Sequence, residues 1–151
     1  MSEHAASGGF DLSTAPDVTA QEDQGIVVHI RDHEGELMYY TPAKEGASPK
    51  PCTITVVGSY SSKFKRVQES ITTRALKRRG APITGRLVKA QALEQVADCI
   101  TEWEGWINKG KPFPYTKENA VALMKQLPYV QPQLEAAMDD HAAFFEKASG
   151  S

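Results

Sequence analysis

The sequence predicts an α+β fold: a small antiparallel sheet of about three strands followed by a four-helix C-terminal bundle. Two changes of period carry that expectation. Between residues 25 and 57 apolar residues alternate with a period of two. From Lys63 onward they recur at spacings of three and four. The length, 151 residues, suits one domain with a modest core. The chain therefore divides into a flexible acidic arm, residues 1–24, and a single domain, residues 25–151, which is β-rich over 25–60 and helical over 61–148.

The arm mixes Ser, Ala, Gly and acids and offers only Phe10 and Leu12 as anchors. From Gly25 to Arg31, Ile26, Val28 and Ile30 alternate with Val27, His29 and Arg31, as in a half-buried strand. Asp32 to Gly35 supplies turn chemistry, and Glu36 to Thr41 is rich in strand-favouring aromatics. These two runs predict a β-hairpin. A loop with three prolines spans residues 42–51. Cys52 to Val57 is β-branched and alternating, a third strand placed at an edge by its prolyl neighbour.

Gly58 to Ser62 stops that strand and offers a serine helix cap. In the first helix Phe64, Val67, Ile71 and Ala75 form the apolar stripe, and Gly80-Ala-Pro82 ends it. A second helix is expected over 84–107, with Leu93, Val96, Ala97, Ile100, Trp103 and Ile107 in line. Gly110 to Pro114 forbids its continuation. Thr116 caps a third helix with Glu118 in its first turn. Pro128 and Pro132 bracket a break before a fourth helix reaching Lys147, with Leu134, Met138, His141, Phe144 and Phe145 inward. The expected core runs from Ile26, Val28, Ile30 and Leu37 through Ile54 and Val56 to these helical stripes.

Composition bounds the function classes. No apolar stretch nears the ~20 residues of a membrane-spanning helix. Residues 1–20 lack the basic start and apolar centre of a secretory signal, so a cytosolic site of synthesis is expected. The two cysteines, Cys52 and Cys99, fit no paired metal knuckle and read as buried free thiols.

The net charge of −2 is unevenly placed. Residues 1–36 hold eight acids and one base, whereas residues 63–89 hold nine bases and one acid. Such a basic stretch neutralises phosphates or meets an acidic partner. It lacks the interleaved exposed aromatics of base-stacking modules. Nucleic acid is therefore a third-ranked partner, through Arg74, Lys77, Arg78 and Arg79.

Catalytic and metal constellations are not formed by the sequence. His29 and His33 straddle a strand end and a turn, so their spacing of four does not bring the rings together. Asp139, Asp140 and His141 diverge on a helix, where successive residues point about 100° apart. Gly58 to Ser62 lacks the last glycine of a nucleophile elbow, and Gly80 to Gly85 lacks a phosphate-contacting lysine. The chain reads as a non-enzyme without cofactor or metal. Trp103, Trp106, Phe113 and Tyr115 cluster within thirteen residues. They either cement a helix corner or offer a binding surface.

The run Trp103…Gly105-Trp106…Gly110-Lys-Pro-Phe-Pro-Tyr-Thr-Lys-Glu118-Asn119-Ala120, with Pro128 and a later helix bearing Phe144, resembles tail assembly chaperones and other small morphogenesis proteins of tailed bacteriophages. The resemblance covers residues 90–146 well and the β-rich half only vaguely. It implies a protein that coats the apolar, helical tape measure protein and recruits tail tube subunits in the host bacterial cytoplasm. The N-terminal hairpin and the basic helix depart from simple versions. They leave open a capsid or tail accessory protein retained in the virion, and a homo-oligomer. The expected contact residues are Trp106, Phe113, Tyr115, Arg74, Lys77, Arg78 and Arg79.

Overall fold

The computed structural model describes residues 8–78 and 80–149. It is a mixed α+β chain with a three-stranded antiparallel sheet and six α-helices among the described residues. In chain order the elements are α1 (Val18–Asp23), β1 (Ile26–His29), β2 (Tyr39–Tyr40), β3 (Lys50–Pro51), β4 (Thr53–Val56), α2 (Ser62–Lys77), α3 (Gly85–Cys99), β5 (Ile100–Glu104), β6 (Ile107–Asn108), β7 (Lys111–Pro112), α4 (Lys117–Gln126), α5 (Val130–Met138) and α6 (His141–Ala148). The main sheet has the order β1-β4-β5. Two short ladders, β2 with β3 and β6 with β7, stand beside it.

Cross-strand register explains which residues enter the core. Ile26, Val56 and Ile100 form one row, and Val28, Ile54 and Trp103 another; both face the helices. Val27, Thr55 and Glu102, then His29, Thr53 and Glu104, form the outward rows. This alternation is that of an antiparallel sheet packed on its helix side, although Thr53 and Thr55 of the central strand are buried as well. Ile30, Ile54, Val56, Ala97, Cys99, Ile100, Val130 and Leu134 are fully buried between sheet and helices. Each large aliphatic among them contributes about 1.5–3 kcal/mol by leaving water.

Several expectations change. The acidic arm is not wholly free: Val18–Asp23 is a helix, capped by Asp17, with Glu22 buried. The predicted hairpin survives only around its turn. Asp32 Oδ1 accepts the amides of Glu34 and Glu36, and Met38 N donates to Ile30 O. Beyond the Arg31–Leu37 bridge the second run leaves β1 and pairs instead with Lys50–Pro51. Leu37, expected in the core, is consequently exposed.

The third predicted strand is central rather than at an edge. Its prolines stop at Pro51, so all of Thr53–Val56 keeps the donors needed to pair with β1 and β5.

The largest correction concerns residues 84–107. The helix there ends at Cys99, and Ile100–Glu104 is a strand. The register of β4 against β5 shifts between Thr55 and Val56, leaving Thr101 as an extra residue. That bulge puts Ile100 and Trp103 on the same sheet face at a spacing of three. The segment 61–148 is therefore not purely helical, and five helices rather than four follow β4. The helix expected to reach Lys147 is two, parted at Asp139. Asp140 caps the second by accepting Ala143 N. Pro132 sits in the first turn of α5, where its missing donor costs little. Phe145, expected inward, is exposed.

Candidate functional site

The Trp103–Ala120 run builds the wall of a groove. After β5, Gly105 takes a positive φ of 93°, and the chain turns through the hairpin β6–β7. A β-carbon on Gly105 would lie 2.6 Å from the Tyr40 ring and 3.2 Å from Cys52 Cα, so the close approach of these three requires glycine. Thr116 then caps α4 by accepting Asn119 N, as its sequence position predicts, and the Asn119 side chain donates to Pro114 O.

The aromatic side chains are held from within. Trp103 Nε1 donates to Phe113 O at 2.8 Å, Trp106 Nε1 to Thr53 O at 3.1 Å, and Tyr115 Oη to Ala97 O at 2.9 Å. Phe113 stacks on Trp103 with 5.7 Å between centroids, and Tyr115 meets the same indole edge-on at 5.4 Å. Burial, followed by the charge of Asp98, raises the Tyr115 phenol above its ordinary value. Each polar handle is thereby used up inside the protein, and the rings present only apolar surface outward.

What they enclose is an open groove of about 750 Å³, with a mostly apolar lining. It is lined by Tyr40 to Ala43, by Pro112 to Tyr115, and by the unbroken stretch Thr101 to Ile107, whose charged members are Glu102 and Glu104. Trp106, Phe113 and Tyr115 thus come together as expected. The loop residues Tyr40 and Pro42 and the acids Glu102 and Glu104 were missed. The Glu-Trp-Glu alternation was their only local signal, and a helical reading of residues 84–107 hides it.

The basic residues are elsewhere and are partly neutralised. Arg74 donates to Glu94 at 2.9 Å, and Lys117 reaches Glu94 at 3.2 Å and Asp98 at 3.1 Å. The hydrogen bond from Arg74, aided by Lys117, holds the Glu94 carboxyl below its ordinary value. At Lys117 burial works against the charge, but the bonds to Asp98 and Glu94 outweigh it and raise the ammonium. Lys77 and Arg78 are exposed at the end of α2; Arg79 lies outside the described residues.

A second polar cluster was not foreseen. Glu22 is 1% exposed. Its Oε1 accepts Tyr60 N at 2.8 Å, and its Oε2 accepts His141 Nδ1. The His141 ring lies parallel on Tyr60 at 3.8 Å. The cluster joins α1, the β4–α2 turn and α6. No nucleophile is placed against it by a hydrogen bond among the described residues.

Cys52 and Cys99 are buried free thiols, and burial pushes Cys99 up to about 12. No group of three or more His, Cys, Asp or Glu suited to a metal ion occurs among the described residues. No helix among them is long and apolar enough to cross a membrane. No family model matches the chain, and neither do the curated proteins or the solved structures. Fold and site therefore define an α+β domain with a preformed apolar groove at a sheet edge.

Proposed function

We propose that the chain is a non-enzymatic binding protein of the tail assembly chaperone type, acting on a tape measure or tail tube partner in the bacterial cytoplasm. The carrying observation is the groove beside β5. Its aromatic rings are fixed by internal hydrogen bonds, so an apolar partner segment meets a surface that needs no ordering. Rigid apolar walls with satisfied polar atoms suit reversible protein binding. The test is co-expression with the tape measure protein of the same phage. A soluble complex is expected, and replacing exposed Ile107 with aspartate should reduce its recovery at least about tenfold. A tape measure protein that stays insoluble and uncomplexed would sink the proposal.

A retained virion component is the second reading. The outer edge of β1, paired to no strand along Ile26–His29 among the described residues, offers a further docking edge of the kind a fixed assembly uses. Mass spectrometry of purified particles separates the two. A chaperone is absent from them, and a structural protein is present at fixed stoichiometry.

A further inference from the structure

The groove has a feature that an apolar patch alone does not explain. Successive side chains of a strand point to opposite faces. Yet Glu102, Trp103 and Glu104, three consecutive residues of β5 beyond the bulge, all border the groove. Both parities can line one space only where the edge of the strand, with its main chain, lies along it. The sheet order agrees: β4 pairs with β5 on one side, and no strand pairs with the other side among the described residues.

Such an edge offers a row of amide donors and carbonyl acceptors that a ligand can satisfy only with a main chain of its own. An α-helix cannot do so, because its amides and carbonyls bond internally. It would cover the edge groups without pairing them, at the cost of their hydration. A polyproline ligand docks on aromatic-lined grooves, but the indole donors that could hold its carbonyls are consumed by Phe113 and Thr53.

The charge at the site narrows the ligand further. Glu102 and Glu104 point to the same side of β5 and border the groove, and neither has an ion-pair partner among the described residues. Two like charges at i and i+2 of one strand repel each other, and a cation between them relieves that repulsion.

We propose that the groove takes an extended partner segment as an added strand on the open edge of β5, with aliphatic side chains against Trp106 and Phe113 and a Lys or Arg against Glu102 and Glu104. This rests on reading the groove as the partner site and names the conformation and charge of what enters it. It differs from the helical ligand implied by the chaperone resemblance. β5 spans about 17 Å, so the paired segment is about five residues long.

The test uses the full chain and a seven-residue peptide of alternating valine and lysine with blocked ends. Both tryptophans of the chain lie in the groove lining, so intrinsic fluorescence reports occupancy. Two isomers are compared, N-methylated on one or the other set of alternate amides. Because alternate amides of a strand point to opposite edges, one isomer should bind as the parent does. The other should bind at least about tenfold more weakly. In the doubly substituted Glu102→Lys, Glu104→Lys chain, the lysine peptide should weaken at least about tenfold and an aspartate version should gain.

Equal binding of both isomers would overturn the proposal, as would preference for an apolar helical peptide. A self-associated chain whose groove is already filled would do so too, as would no fluorescence response to any peptide. If the tape measure complex forms while both isomers bind equally, the added strand fails and the chaperone reading stands. If the isomers discriminate but no such complex forms, the chaperone reading fails instead.

Discussion

At the scale of single residues, the tightest constraint lies away from the groove, at Gly58. A β-carbon there would fall 2.0 Å from Glu22 Oε1 and 2.6 Å from its Cδ. Glycine is thus what lets a carboxylate occupy the space beside the β4–α2 turn. Glu22 is buried and bonded to Tyr60 N and His141, and its own carbonyl accepts Gly25 N and Gly58 N. Gly58→Ala should therefore destabilise by about 1–3 kcal/mol through overpacking and displacement of that carboxylate. The effect should shrink, though not vanish, in a Glu22→Ala background, because the carboxylate is then gone and only the Cβ of residue 22, at 2.9 Å, still crowds the alanine. Denaturant unfolding of the two single variants and the double variant measures this coupling. Strict additivity would show that Gly58 is kept for another reason.

At the scale of elements, the ion cluster of Arg74, Glu94, Asp98 and Lys117 ties α2, α3 and α4 together, and its pH dependence follows from the shifts. Glu94 titrates below its ordinary 4.5, so its contribution is complete above that value and is lost as pH falls through the folded value. Lys117 titrates above its ordinary 10.5, so its contribution is complete below that value and is lost as pH rises past it. Arg74 and Lys117 are close to half exposed, which limits the Glu94 contribution to about 1 kcal/mol or less. Glu94→Gln should lower the midpoint of thermal unfolding slightly at pH 7, and the difference should vanish in acid. A difference that does not shrink as the pH falls below the ordinary carboxylate value would contradict the assignment.

Elements also show what the sequence could disclose. The serine cap in Gly58 to Ser62, the cap at Thr116 and the turn at Asp32 were legible, because each rests on bonds within a few residues; Thr84, read only as the start of a helix, is also a cap. The helix-to-strand change at Ile100 was not. Leu93, Val96 and Ile100 follow a helical spacing, and the bulge at Thr101 continues it to Trp103. Only pairing with Ile54, about fifty residues away, makes this stretch a strand. Glu102 and Glu104 became visible as one charged side of the groove for the same non-local reason. The rings of Trp106, Phe113 and Tyr115 could be picked out as a cluster from proximity alone.

At the scale of the whole molecule, stability is distributed unevenly. β4 is buried along its length between β1 and β5 and under α5. The far half of the α2–α3 hairpin is its opposite. α2 contains no fully buried residue, and from Thr72 to Ala90 the described residues are exposed apart from half-buried Leu87. Leu76 is 73% exposed, Ile83 80% and Val88 53%, among the exposed bases Lys77, Arg78, Arg86 and Lys89. The helices are joined to the body near Phe64, Val96 and the Glu94 cluster, so the tip can open without disturbing the sheet. Opening free energy follows the apolar contact a segment would lose. Native-state hydrogen exchange should therefore show amides of α2 beyond Ile71 and of α3 before Gln91 protected at least about a hundredfold less than those of β4. Ionic contacts among exposed side chains contribute too little to close that gap. Protection equal to that of β4 would mean that the hairpin is covered in solution by another chain, and its exposed aliphatic residues would then belong to an interface.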